Sequence, residues 1–171
     1  MFKILVVCTA NICRSPAAQH FLLESLRGKQ VKVESAGTLA LDGNFADATI
    51  QSLMLERGFQ DIAQHRSRAL MPSHLAQADL VLCMERDHMA RVQRLNPLSV
   101  NKTRLFGHWE NQAEVDDPVG RSEQTYARSL DDMQRLASQW VEKMSMMGMV
   151  KERFIVGRLA IQSGISRRLW R

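Results

Sequence analysis

The alternation of short apolar runs with helical patterns constrains the fold more than any other feature of this 171-residue chain. β-Branched apolar runs indicate buried strands, and apolar residues three and four positions apart indicate amphipathic helices. The four predicted strands cover residues 3–8, 31–35, 79–84 and 103–106, and the predicted helices cover residues 14–26, 46–57, 86–95 and 122–144, with a short helix at Pro72. This order predicts an α/β fold, a single-domain four-stranded parallel sheet flanked by helices on both faces.

Composition separates this domain from the end of the chain. A 45% apolar content is enough to bury a core, and the length suits one domain. Residues 145–171 carry six basic residues and one acidic residue, which accounts for the whole net charge of +5. We therefore predict a neutral domain at residues 1–144 with a basic extension at residues 145–171, and no nucleic-acid partner.

The start of the chain has a short apolar run and no small-residue cleavage site, and no run of 18 apolar residues follows. A cytoplasmic location is therefore expected. The three cysteines, Cys8, Cys13 and Cys83, are an odd number without a secretory signal, which argues against a disulfide framework. Their spacing, and the scattered histidines, do not match a zinc site. Neither a metal nor another cofactor is predicted.

A phosphate-binding loop is predicted after the first strand, at Cys8–Arg14, which has the form C-x5-R. Ser15 is placed to cap the following helix, and Pro16 suits its first turn. Consecutive backbone N–H groups in such a loop, together with the helix N-terminus, form an anion site, and Arg14 adds a planar fork for phosphate oxygens. The alternative is a buried strand cysteine beside a surface arginine.

The same surroundings favour the thiolate form of a cysteine, which can attack phosphorus and form a phosphocysteine intermediate. A phenolate leaving group then needs an acid, and Glu114, Asp116 and Asp117 lie in one loop. Asp117 precedes Pro118, which holds it in an extended conformation. The same carboxylate can later activate water. An ordinary acidic turn is the other interpretation.

Together these elements resemble the low-molecular-weight protein tyrosine phosphatases over residues 2–144. The motif V-C-x-G-N-I-C-R-S-P is matched by Val7–Pro16 with one departure, and Ser35–Thr38 and Asp117-Pro118 match two further motifs. The resemblance implies that Cys8 is the nucleophile, that Arg14 clamps phosphate, and that Asp117 rather than Asp116 is the general acid. Phosphate binding and thiolate support then fall to the rest of the loop: Thr9, Ala10, Asn11, Ile12, Cys13 and Ser15.

The resemblance also implies supporting residues. Asn11 would hold the loop through hydrogen bonds with Ser35 and His65, and Glu85 would orient the arginine. For Cys13 two interpretations stay open, a backup thiol that traps an oxidised Cys8 as a disulfide and a small packing residue.

Two positions depart from the family pattern. Ala10 replaces a glycine, which usually permits an unusual backbone angle or close ligand approach, so Ala10 is expected to strain the loop. Val119 replaces an aromatic residue beside the substrate ring, and Leu41 is the expected wall opposite. Ile12 stands where phosphoarginine phosphatases carry threonine, which favours an aryl phosphate substrate.

Residues 105–109 and the Asp117 loop look most similar to the bacterial branch linked to capsule and exopolysaccharide production. This implies a membrane-bound tyrosine autokinase as the phosphorylated partner, although His108 and Trp109 also suit loop packing. One alternative function is a phosphotyrosine-binding module with weakened catalysis. Another is a thiol-coupled arsenate reductase, but that needs more cysteines near the third strand than Cys83, and Met89 occupies the other position.

The basic extension is also open to two interpretations. Its apolar residues alternate loosely with arginines, as in a basic amphipathic helix that contacts anionic lipid or an acidic partner. Gly157 and Gly164 disfavour a helix, and a loosely packed terminus is the other interpretation.

Overall fold

The computed structural model describes residues 1–152, which form an α/β domain around one parallel sheet. Strands are β1 (Phe2–Cys8), β2 (Val31–Gly37), β3 (Leu80–Cys83) and β4 (Thr103–Leu105); helices are α1 (Arg14–Ser25), α2 (Ala48–Glu56), α3 (Pro72–Gln77), α4 (Arg86–Leu95) and α5 (Glu123–Met146). The predicted fold class is confirmed. Two 3₁₀ helices, Gln60–Gln64 and Pro97–Lys102, were not predicted.

The sheet has the strand order β2-β1-β3-β4, and every neighbouring pair is parallel. The order reverses at β1, whose neighbours β2 and β3 lie on opposite sides. In such sheets the crevice beyond the carboxyl ends of the strands at this reversal is the usual ligand site. Cys8 is the last residue of β1 and therefore lies at that crevice.

Alternation along β1 divides the core into two layers. Ile4, Val6 and Cys8 pack into the larger layer, which includes apolar residues of α1, α2 and α5. Leu5 and Val7 face the smaller layer, which includes residues of α3 and α4. Both faces of the sheet are thus covered, as the continuous apolar character of a buried parallel strand requires.

Several element ends differ from the sequence prediction. β2 continues to Gly37, two residues further than expected, because it pairs with β1 up to Cys8. α2 begins later, since the Asp47 carboxylate caps it by accepting from the Thr49 and Ile50 N–H groups at 3.0 and 3.2 Å. Capping by Ser15 was a wrong prediction: α1 starts at Arg14, and Cys13 precedes it without a side-chain cap.

The chain returns to the sheet after α5. Val150 is buried, the Gln30 N–H donates to the Lys151 carbonyl at 2.8 Å, and Lys29 pairs with Glu152. Within residues 1–152 there is no helix of the length and hydropathy needed to cross a membrane. The predicted interpretations of the basic extension fall mainly on residues 153–171, outside the described residues.

Candidate active site

The Cys8–Arg14 loop places a thiol at the uncapped N-terminus of α1. The Cys8 Sγ lies 2.9 Å from the Ser15 Oγ, inside the first turn of the helix. Ser15 also accepts a hydrogen bond from the Asn11 side-chain amide at 2.8 Å, so its own hydroxyl hydrogen is free to donate to the sulfur. Instead of capping the helix, Ser15 supports the thiol.

Asn11 is the centre of a hydrogen-bond network that shapes the loop. Its φ of 55° lies in the left-handed region. Its side-chain amide donates to the Ser35 hydroxyl at 2.9 Å, and its side-chain oxygen accepts from the Arg68 N–H at 2.9 Å. The Asn11 carbonyl accepts from His65 Nε2 at 2.7 Å. The structure thus brings Asn11, Ser35 and His65 together, and these contacts offset the cost of the left-handed backbone.

Gly37 is a site residue that the motif contains but the sequence prediction did not single out. A Cβ at Gly37 would lie 2.5 Å from the Thr9 carbonyl oxygen and 2.9 Å from the Ala10 carbonyl carbon. Pairing continues past the strand, because the Thr38 and Leu39 N–H groups donate to the Cys8 and Thr9 carbonyls at 2.9 Å each. Only glycine permits this approach of β2 to the loop.

The backbone angle at Ala10 corrects one expectation. Positive φ occurs in the loop at Asn11 and not at Ala10. An alanine at position 10 therefore needs no left-handed conformation, and the strain expected there from an unusual backbone angle is absent. The asparagine next to it bears the strain instead.

Arg14 is fully buried and held on both sides. It pairs with Glu85 after β3, donates to the Val115 carbonyl at 2.8 Å, and donates through its other terminal nitrogen to Asp117 Oδ2 at 2.8 Å. Burial acts to lower the pKa of this guanidinium, but the hydrogen bond from Arg14 to Glu85 and the charges of Cys8 and Asp117 raise it above its ordinary value. Arg14 is therefore a fixed cation at the crevice.

The acidic loop presents Asp117, and not Asp116, to the arginine. The loop is anchored just after β3 by a 2.9 Å hydrogen bond from the Val115 N–H to the Met84 carbonyl. Asp117 Oδ1 accepts from the Val119 N–H at 3.2 Å, while Oδ2 faces Arg14. Asp116 is exposed. Of the three carboxylates in the loop, the structure brings Asp117 to Arg14, whereas Glu114 accepts from the Arg86 N–H at 2.7 Å.

The two predicted substrate walls are exposed side chains. Leu41 is 77% exposed and Val119 is 48% exposed. The Leu41 carbonyl accepts from the Ser67 hydroxyl at 2.5 Å, which anchors this segment. Nearby in the chain, Phe45 is also exposed and lies under the Arg66 guanidinium, 3.5 Å from its ring centroid. Phe45 was not predicted, because a single aromatic residue in a polar loop gives no periodic signal.

The other two cysteines are buried free thiols. Burial raises the pKa of the Cys13 thiol, and the negative charges of Asp117 and Cys8 raise it further. Burial likewise raises the pKa of Cys83, which lies in β3 beside Val7. A protonated thiol is a poor nucleophile, so neither residue competes with Cys8 for that role. The backup role of Cys13 stays a prediction.

The remaining motif, at residues 105–109, packs against α5. His108 stacks on Trp140 at 5.8 Å between ring centroids, and Trp109 meets both rings edge-on. The Trp140 indole donates to the Phe106 carbonyl at 2.7 Å. These contacts give His108 and Trp109 a packing role behind the acidic loop.

One further histidine contacts the loop. His88 is buried at the start of α4, and its Nε2 lies 2.8 Å from the Thr9 hydroxyl. Sequence reasoning missed it, since a lone histidine on an amphipathic helix carries no motif. The only signal in the sequence was the spacing. His88 lies three residues after Glu85, and residues three apart are neighbours at the start of a helix.

The arrangement is suited to binding a tetrahedral oxyanion and attacking its central atom. The helix N-terminus and Arg14 supply positive charge, Cys8 supplies a nucleophile, and Asp117 supplies a carboxyl group. Within residues 1–152, no three His, Cys, Asp or Glu side chains are grouped to hold a metal ion.

Comparison with known proteins gives concordant matches. The family model described as low molecular weight phosphotyrosine protein phosphatase matches residues 3–149. The low molecular weight protein-tyrosine-phosphatase Wzb of Escherichia coli K12 is 38% identical over 143 residues, covering 84% of this chain and 95% of Wzb. Among solved structures, Vibrio vulnificus Wzb in complex with benzylphosphonate matches with a TM-score of 0.78 and 34% identity, covering 83% of this chain and 98% of that one. The YwlE arginine phosphatase of Geobacillus stearothermophilus matches with a TM-score of 0.80 and 29% identity, covering 87% and 96%.

Proposed function

Since the chain belongs to the low molecular weight phosphotyrosine protein phosphatase family, we propose that it hydrolyses phosphotyrosine through a phosphocysteine intermediate on Cys8. It is a protein-tyrosine-phosphatase, as its relatives are named. The observation that carries the mechanism is the 2.9 Å contact of Cys8 Sγ with Ser15 Oγ at the N-terminus of α1, opposite the buried Arg14.

In the first step the Cys8 thiolate attacks phosphorus, and the bond between phosphorus and the phenolic oxygen breaks. The loop N–H groups and the Arg14 guanidinium hold the equatorial oxygens, where negative charge must be stabilised. Asp117 gives its proton to the leaving phenolate. Support for this role comes from the 2.8 Å hydrogen bond that Asp117 accepts from Arg14, the proposed phosphate clamp.

In the second step a water molecule attacks phosphorus and the sulfur–phosphorus bond breaks. Asp117, now a carboxylate, takes the proton from water. The sulfur leaves as a thiolate, and a hydrogen bond from the Ser15 hydroxyl stabilises it. Inorganic phosphate is released. Asp117 is then protonated and Cys8 is a thiolate, as both were before the first step.

The substrate proposed is an aryl phosphate rather than a phosphoarginine, although the fold is shared with an arginine phosphatase. Support comes from the apolar Ile12 in the loop, from Leu41 and Val119 as exposed apolar side chains, and from the benzylphosphonate bound by a related Wzb. An apolar rim favours a phenyl ring over a guanidinium group.

The physiological partner proposed is a tyrosine-phosphorylated protein, a membrane-bound bacterial tyrosine autokinase that controls polysaccharide production or export. Support comes from the similarity to Wzb and from the resemblance of residues 105–109 to the branch linked to capsule and exopolysaccharide production. The place of action would be the cytoplasmic side of the membrane. The basic residues after position 152 would contact acidic groups of that partner or of the membrane surface.

The direct test is turnover of a phosphotyrosine peptide by the wild type, Cys8→Ser and Cys83→Ala. Cys83→Ala is the matched control, because it removes a buried thiol that lies outside the loop. The wild type and the control should release phosphate at similar rates, whereas Cys8→Ser should release none above background. Equal rates for the wild type and Cys8→Ser would exclude Cys8 as the nucleophile. Peptide binding without turnover by the wild type would favour a binding module.

A further inference from the structure

His88 uses both of its ring nitrogens, and the geometry fixes where its hydrogen lies. The backbone N–H of Glu85 points to Nδ1 at 3.1 Å, so Nδ1 is an acceptor and carries no hydrogen. The neutral ring therefore carries its hydrogen on Nε2, which donates to the Thr9 hydroxyl oxygen at 2.8 Å. Thr9 accepts this bond, and its own hydroxyl hydrogen is left to donate elsewhere.

These two bonds join the loop after β1 to the segment after the neighbouring strand β3. Thr9 directly follows Cys8 at the end of β1, and Glu85 follows β3 and pairs with Arg14. One imidazole ring thus ties Thr9 of the loop to the backbone of Glu85, the residue whose carboxylate pairs with Arg14. The ring is 1% exposed, so water does not compete for either bond.

We propose that His88 is a positioning residue, which fixes Thr9 and Glu85 so that the loop and Arg14 fit the phosphate; this inference rests on the proposed function. His88 acts through its neighbours and does not itself contact the reacting atoms.

A second proton on His88 would undo the arrangement. A protonated ring carries hydrogen on Nδ1, which would then face the Glu85 N–H as donor against donor. Burial lowers the pKa of His88, and the charged groups around it act in both directions: Arg14 and Arg91 lower it, whereas Glu85 and Asp87 raise it. The ring is therefore uncharged at neutral pH. As the pH falls and the ring becomes protonated, phosphate binding should weaken.

The chain contains a matched control on another helix. His74 occupies the same position in α3 as His88 does in α4, and its Nδ1 accepts from the Met71 N–H at 3.2 Å. It lies away from the loop, beside Glu34 and Arg68. Substitution of His74 therefore tests the effect of losing the same helix-start contact without any change at Thr9.

Three substitutions separate the two bonds of His88. In His88→Asn the side-chain oxygen is near the position of Nδ1, which keeps the acceptor for Glu85 but loses Thr9. In His88→Gln the amide reaches towards Thr9 and loses that acceptor. Thr9→Val removes the hydroxyl from the loop side at nearly constant shape. The measurements are kcat/KM for an aryl phosphate and the inhibition constant of inorganic phosphate from pH 5 to 8.

Thr9→Val and His88→Asn should each lower kcat/KM about tenfold and weaken phosphate binding, since each removes one oriented hydrogen bond. The kcat/KM of the double variant should be no lower than that of the less active single variant, because both substitutions remove the same hydrogen bond. His88→Gln should retain more activity at neutral pH than His88→Asn and lose the wild-type decline towards acid. His74→Asn should keep the wild-type kcat/KM and pH profile.

If the losses of kcat/KM in Thr9→Val and His88→Asn multiply in the double variant, the inference is overturned. It is also overturned if kcat/KM declines towards acid in every His88 variant as it does in the wild type. If the His88 variants do not fold, Thr9→Val decides alone, and wild-type values across the pH range would overturn it. Absence of turnover by the wild type would instead refute the proposed function. A wild type that turns over while all variants match it would refute only the role of His88.

Discussion

Ala10 and Asn11 are adjacent in the loop but differ in what their backbones require. Asn11 has a φ of 55°, which is uncommon for a non-glycine residue and is stabilised by bonds to Ser35 and Arg68. Ala10 has no positive φ. The departure from the family glycine at position 10 therefore does not need a strained backbone.

Ala10→Gly tests this difference through stability. At a position with ordinary φ, glycine only adds freedom to the unfolded chain, and the free energy of unfolding should fall by about 0.4–1 kcal/mol. Denaturant unfolding of both proteins measures it. A more stable glycine variant would show that alanine is strained at this position.

Asp117 and Asp116 form a natural pair for testing the general acid. Asp117 faces Arg14 at 2.8 Å, and Asp116 is exposed beside it. Asp117→Asn should lower kcat by about 10²–10⁴ for phenols that leave poorly, and much less for activated phenols that need no proton. Steady-state rates across a series of aryl phosphates give the comparison. Equal slowing across the series, or a similar loss in Asp116→Asn, would contradict the assignment.

At the scale of elements, the junction between β2 and the loop depends on Gly37. A side chain there meets backbone atoms, which cannot turn aside as a flexible side chain can. Gly37→Ala should cost about 1–3 kcal/mol of unfolding free energy, because the backbone must shift, and should lower kcat/KM by displacing Thr9 and Ala10.

Gly28→Ala is the control for that substitution. Gly28 follows α1 with a φ of 84°, and an added Cβ meets nothing within 4 Å. Its alanine variant should lose stability through strain alone and keep the wild-type kcat/KM. Wild-type activity in Gly37→Ala would show that the close approach of β2 does not shape the loop.

The sequence predicts the central part of most elements and is less informative at their ends. β1 was identified from its β-branched apolar run, and α4 and α5 from apolar residues three and four positions apart, which are local signals. The end of β2 and the position of Ser15 depend on contacts with the loop that only the folded chain creates. The 3₁₀ helices at Gln60–Gln64 and Pro97–Lys102 are too short to show a period.

At the scale of the whole molecule, the strand order explains why residues far apart in sequence form one site. β1 lies between β2 and β3, so Cys8, Ser35 and Glu85 are brought to the same edge. Resemblance to a family supplied these partners from sequence, because local pattern cannot supply strand order. His88 and Gly37 were missed because their roles are only visible as contacts.

One buried and two half-buried histidines make stability depend on pH in a defined direction. Burial lowers the pKa values of His20, His65 and His88 below that of an exposed histidine. Below about pH 6.5 the unfolded chain therefore binds more protons than the folded chain does. Stability is lost as the pH falls from there through the lower pKa values of the folded state.

Unfolding free energies at pH 7.5, 6.5 and 5.5 should decrease in that order. The carboxylates Glu34 and Asp87 also have lowered pKa values, but their contribution is lost only in more acidic solution, which keeps the two ranges apart. A stability that is constant or increases on acidification over this range would contradict neutral burial of the histidines.

The most direct test of the phosphocysteine mechanism is to find the phosphoryl group on the enzyme. An activated aryl phosphate should give a burst of phenol close to one equivalent per enzyme, if the second step is the slower one. Peptide mass spectrometry of the quenched enzyme should locate the phosphoryl group on Cys8, and Cys83→Ala should give the same result. Turnover with the phosphoryl group on another residue, or with direct transfer to water and no phosphoenzyme at any quench time, would contradict the mechanism.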